Sequence, residues 1–153
     1  MGWTPRTGTG ALVAWIGPGE ALATLNELLL GRVGGSKFKE DYWRLVFWHI
    51  GNGHAARLTV DATGIRLAYW PRVWAARSLS YLGDQAAGPG LIAALIDEHW
   101  RVRMTAAQAL GRLKVSESLD DLVELLGDEH ERVRAAAVTA LRRLRGLLTD
   151  APN

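Results

Sequence analysis

The chain contains no cysteine. Disulfides, thiolate-bound metals and a thiol nucleophile are therefore excluded. The apolar run ALVAWI at 11–16 falls far short of the roughly 20 residues that cross a bilayer. The opening residues lack the basic n-region of a secretion signal. Met1-Gly2 does not begin a myristoylation motif, because Arg6 stands where a Ser or Thr is required. The expectation is a cytoplasmic protein without a membrane partner. Charge of one sign is also scarce: the formal net charge is only +2, so bulk electrostatics alone does not indicate a nucleic-acid binder. The glycine pairs near the start and at 34–35 match neither a P-loop nor a dinucleotide fingerprint, and no strand-to-helix context surrounds them. No catalytic, cofactor-binding or metal site is nominated, and no cofactor is expected.

What is present is a repeat. DEHWRVRMTAAQALGRL (97–113) returns 31 residues later as DEHERVRAAAVTALRRL (128–144). PRVWAARSLSYL (71–82) aligns with both without gaps, so Arg72, Arg103 and Arg134 match, as do Leu79, Leu110 and Leu141. Ala75, Ala106 and Ala137 occupy a position where two helices need a small residue to approach. Val102, Ala106, Ala109, Leu110 and Leu113 fall on one helical face. A shorter helix precedes two of the copies, LIAALIDEH (91–99) and LVELLGDEH (122–130). The unit is thus a short helix A, a turn and a longer helix B. Such a pair cannot bury its apolar face alone, so neighbours must stack. The predicted fold is all-α, an α-α superhelix of helical-hairpin repeats in one domain, 1–153. Residues 1–55 form a divergent N-terminal helical cap, followed by repeats at about 56–83, 88–114 and 117–147.

This unit resembles a HEAT repeat, in the short bacterial form also seen in phycobilin-lyase-type proteins, and YWPRVWAARSLSYL is similar to a segment of short actinobacterial HEAT-repeat proteins. The family's turn carries Asp followed by Val-Arg five and six residues on, here Asp97, Val102 and Arg103, then Asp128, Val133 and Arg134. The first copy departs from this, with Arg66 in the place of the Asp. The repeated Asp-Glu-His invites a metal reading, which geometry opposes. Stacked helices sit about 8–10 Å apart, whereas two nitrogens on one zinc lie within roughly 4 Å of each other, so His99 and His130 are not expected to share an ion. Asp97, Arg103, Asp128 and Arg134 are expected to be structural: the carboxylates accept from backbone N–H groups at the start of helix B or pair with an arginine.

In the first half, a helix is predicted from about Glu20 to Gly31 or Gly34-Gly35, and a second over about 39–51. The apolar residues of the second (Tyr42, Trp43, Leu45, Val46, Phe47, Trp48, Ile50) nearly encircle it, as expected of a helix buried on several sides. An exposed aromatic strip that forms a homodimer is the alternative. Residues 56–70 alternate like a β-hairpin around DATG, but their place in the array calls for a helix A.

The resemblance implies that the B helices line the concave, partner-facing side. A helical wheel then places Val73, Arg77, Met104, Gln108, Ala135, Thr139 and Arg142 opposite the apolar face, with Trp74, Tyr81, Thr105, Arg112, Ala136 and Arg143 on one flank. Of these, Trp74, Arg77, Tyr81, Met104, Gln108, Arg112, Thr139, Arg142 and Arg143 form the candidate binding face, with Trp74 as its anchor, since Trp and Arg dominate interaction hot spots. No Asp or Glu occurs in 71–82, 102–113 or 133–144. Hydrolytic or glycosylase chemistry needs a carboxylate or general base, so an activity like that of the HEAT-like alkylpurine DNA glycosylases is disfavoured, and a non-enzymatic module is the primary expectation. The expected partner is a protein, with an acidic segment fitting the arginines. Nucleic acid stacked on Trp74 and Tyr81 is the alternative, opposed by the balance of 12 basic and 12 acidic residues in 61–153. A chromophore role rests on fold analogy alone.

Overall fold

The structure is a computed structural model that describes residues 4–32, 40–51 and 69–149. Every regular element among them is helical: α1 (Pro5–Ile16), α2 (Pro18–Leu29), α3 (Glu40–Gly51), α4 (Tyr69–Leu82), α5 (Gly88–Ala93), α6 (Trp100–Leu113), α7 (Leu119–Glu124) and α8 (Glu131–Thr149). The question of helix or hairpin at 56–70 falls almost wholly outside the described residues, as do Arg66 and Gly34-Gly35.

Local chemistry explains the boundaries. Thr4 caps α1 through a reciprocal capping box with Thr7, and Pro5 follows at the first helical position, where its missing N–H is harmless. Gly17, at φ 83°, ends α1 and leads directly into Pro18 of α2. Beyond α2, Gly31 takes φ 67°, a left-handed turn that favours glycine. Each A helix begins earlier and stops sooner than its apolar pattern suggests. α5 and α7 tighten into 3₁₀ turns at 94–96 and 125–127, and Asp-Glu-His forms the turn into helix B.

The long helices α4, α6 and α8 lie side by side, with α5 packed on α6 and α7 on α8. α2 packs along α4 and touches α5, while α1 and α3 pack on each other and on α4. The three N-terminal helices therefore cover the first long helix of the stack. One core runs through all of this, from Leu12, Leu25, Leu28 and Val46 through Leu79, Leu91 and Leu110 to Leu122, Val133 and Leu144. Ala75, Ala106 and Ala137 are all fully buried, as expected of small residues between helices. The tightest approach is elsewhere, at Gly111: a Cβ placed there would lie 2.6 Å from Ala140 Cα. Val73, which the wheel put opposite the apolar face, and Thr105 and Ala136, which it put on the flank, are buried, because each long helix packs against neighbours on more than one side.

Candidate functional site

The two Asp-Glu-His turns form a ladder. In the second, Asp128 Oδ1 accepts from the His130 N–H at 2.8 Å, and the carboxylate takes a two-pronged grip from Arg103 of the preceding repeat, Nε to Oδ2 at 2.7 Å and Nη2 to Oδ1 at 3.0 Å. Arg103 also reaches back to its own turn, where Nη1 donates to the Asp97 and Glu98 carbonyls. The first rung has the same partners one repeat earlier. Asp97 accepts from the His99 N–H, and Arg72 donates to it through Nη2 at 3.1 Å. Arg72 Nε lies 2.9 Å from Asp97 Oδ2 but is off line for a hydrogen bond, so this rung is looser. Each arginine thus ties its own helix start to the next repeat's turn, and the neighbouring Arg, not the Arg of the same repeat, holds the carboxylate. Burial acts to raise the Asp128 carboxyl, but the Arg103 guanidinium and the His130 N–H outweigh it and hold the group below the ordinary carboxylate range. The Asp128 hydrogen bond in turn pushes Arg103 up.

The histidines have a role that the spacing did not reveal. Each is the N-cap of its long helix: His99 Nδ1 accepts from the Arg101 N–H at 3.2 Å and His130 Nδ1 from the Arg132 N–H at 3.3 Å. An accepting Nδ1 carries no proton, and burial first, then the Arg101 charge, lowers the His99 pKa from its ordinary 6.5. The outer face of each ring is also engaged. Tyr69 stacks on His99 at 3.5 Å between centroids, and Trp100 stacks on His130 at 3.9 Å. Tyr69 and Trp100 are 31 residues apart, so the stacking repeats with the ladder. Arg101 lies 4.3 Å above the Trp100 ring. Among the described residues, no group of three His, Asp or Glu side chains is arranged to hold a metal ion.

The candidate binding face divides. A groove of about 470 Å³ between α6 and α8 is lined by Met104, Gln108, Arg112, Thr139 and Arg143, together with Arg132, Ala135 and Ala136. Five residues nominated from the sequence meet there, and Arg132 joins them from the first turn of α8. Tyr81 borders this set, since the Arg112 guanidinium sits 5.1 Å above its ring. Trp74 does not join. It is half-buried, and its ring lies so close to α3 that a Cβ on Gly51 would come within 2.7 Å of it. Arg77 and Arg142 are outside the lining. On α3 itself, Val46 and Ile50 are buried, whereas Leu45 and Trp48 are exposed, Trp48 at 60%. Among its described side chains, the buried ones thus lie on one side and the exposed ones on the other. Trp15 of α1 is also exposed, with its ring 5.7 Å from that of His49.

None of the described helices is long and apolar enough to cross a membrane. A search among curated proteins found none that matches the chain. The family model of HEAT repeats matches residues 68–146, more than half of the sequence. That span contains α4 to α7 and most of α8, both rungs of the ladder and the arginine-lined groove, and HEAT repeats generally mediate protein interactions. The chain belongs to the HEAT-repeat family.

Proposed function

We propose that this protein is a non-enzymatic interaction module that grips an acidic segment of a partner protein in the groove between α6 and α8. The observation that carries the reading is the groove's composition. Arg112, Arg132 and Arg143 supply three cations, Met104, Ala135 and Ala136 an apolar floor, and Gln108 and Thr139 two further hydrogen-bonding groups, with no carboxylate in the lining. A peptide with carboxylates flanking an apolar residue complements this, since arginine holds carboxylates through paired donors. The nucleic-acid alternative needs open aromatic faces for base stacking. Trp74 is packed against Gly51 and the Tyr81 ring is covered by Arg112, which favours the protein reading.

A photo-crosslinker at Gln108, used in extract of the source cells, should label one defined partner. Arg112→Ala with Arg143→Ala should abolish the labelling. Duplex DNA and RNA should bind no better than non-specifically, about 10⁻⁴–10⁻⁶ M at physiological salt. Submicromolar nucleic-acid binding lost in the same double variant would overturn the proposal.

A further inference from the structure

The last repeat exposes what the middle repeat buries. On α6, Arg103, Ala107, Leu110 and Gly111 form a stripe that lies buried. The matching residues of α8 are Arg134, Val138, Leu141 and Arg142, at spacings that share one helical face, and Arg145 continues the row. Val138 is 37% exposed where Ala107 is fully buried, and Leu126 is 39% exposed where its counterpart Leu95 is 2% exposed. Arg134 repeats half of the Arg103 arrangement: its Nη1 donates to the Asp128 and Glu129 carbonyls at 2.8 and 3.1 Å. The other half is missing. Arg72 and Arg103 each hold a carboxylate, and no carboxylate pairs with Arg134 among the described residues.

The geometry points to the exposed side of α7 and α8 as a second docking surface, which takes an acidic amphipathic helix from another protein and seats one of its carboxylates on Arg134 as Asp128 is seated on Arg103. Charge complementarity selects the occupant. Arg134, Arg142 and Arg145 form a cationic row beside Val138, Leu141 and Leu126, and α8 carries no acidic residue after Glu131. The row from 134 to 145 spans about 16 Å at 1.5 Å per residue, which matches three turns of a helix lying along it. A repeat packed as tightly as α8 on α6 does not fit, because Arg142 stands where α6 has Gly111, the point of closest approach. A second copy stacked head to tail is disfavoured too. Its first long helix is covered by α1–α3, and Asp97 and Asp128 are already held by Arg72 and Arg103. This surface is separate from the groove, whose lining includes none of Arg134, Val138 and Arg145, so the inference does not rest on the proposed function.

The test titrates the whole chain with a labelled peptide of sequence LDDLVELLGDEH, an acidic amphipathic segment that already exists as residues 119–130. Its affinity should fall at least about tenfold when its carboxylates are replaced by amides, and by as much in Arg134→Ala, as expected when one side of a close charge pair is lost. Val138→Asp should weaken it similarly through like-charge repulsion. It alters an exposed side chain, so it remains informative should Arg134→Ala unfold. Arg112→Ala should leave the affinity within about twofold, since sites without shared partners act independently. The inference is overturned by no saturable binding up to about 1 mM, or by equal binding to wild type, Arg134→Ala and Val138→Asp. Loss on Arg112→Ala alone would place the peptide in the groove and overturn it too. So would self-association, or duplex DNA binding tighter than that of the peptide, abolished by Val138→Asp.

Discussion

Replacing Gly111 with alanine tests how closely the repeats stack. In an isolated helix this change is favourable by about 0.8–1.0 kcal/mol. Here the new Cβ would lie 2.6 Å from Ala140 Cα and 2.8 Å from Ala140 Cβ. Carbon atoms prefer about 3.5–4.0 Å, so the two helices must separate by roughly an ångström at the crossing. Neither obstructing atom can rotate away. Overpacking of this kind costs about 1–3 kcal/mol. The upper part of that range is expected, since the clash is with backbone, which leaves a net loss of about 1–2 kcal/mol after the helical gain. Gly10→Ala is the matched control: the glycine is exposed on α1 and its added Cβ meets nothing within 4 Å, so the same substitution should stabilise by up to about 1 kcal/mol. Urea unfolding, read by far-UV circular dichroism, should move the two midpoints in opposite directions. Stabilisation by Gly111→Ala would refute the close approach of α6 and α8.

Stability should depend on pH through His99 and Asp128. The folded state lowers His99 below 6.5, so its contribution is fully present above pH 6.5 and is lost as pH falls through the lowered value. Asp128, held below 3.8, adds a second loss as pH drops below that value; His99→Asn, which keeps a cap acceptor, should flatten only the first step in urea midpoints measured across pH. Lys114 ends α6 at φ 57°, where a side chain is strained by roughly 1–2 kcal/mol, so Lys114→Gly should raise the melting temperature, with a net gain of about 0.5–1 kcal/mol after the entropy glycine adds to the unfolded chain. Ala106→Leu, at a fully buried site, should cost about 1–3 kcal/mol in urea unfolding.

The repeat stack was legible because its signals are local and periodic. Arg72, Arg103 and Arg134 recur at fixed spacing, and Gly31 marks the end of α2. The start of α1 lies outside the repeat, and its capping residues Thr4, Pro5 and Thr7 are a signal of single positions rather than of a period. The histidine caps are local, each accepting from the N–H two residues on, but the stacking of His99 on Tyr69 and of His130 on Trp100 joins residues about 30 positions apart, a relation that helical periodicity does not encode. The recurrence of an aromatic residue at 69 and 100, ahead of His99 and His130, was the available clue. The binding face was half legible. Helical spacing brought Met104, Gln108, Arg112, Thr139 and Arg143 together, but Trp74 turned toward Gly51 because α3, which lies outside the repeat, packs over that part of α4.

The repeated Asp-Glu-His turns act as joints between repeats, and a double-mutant cycle on Arg103 and Asp128 is the decisive test of that role. Their side chains are 10% and 7% exposed and joined at 2.7 Å, so removing one partner leaves a nearly buried charge unpaired. Arg103→Met and Asp128→Asn should each cost about 3 kcal/mol in urea unfolding. The double variant should fall short of the sum by at least about 1 kcal/mol, within the range measured for residues in contact. Additive losses, or single losses within about 0.5 kcal/mol as at an ordinary surface site, would contradict the claim.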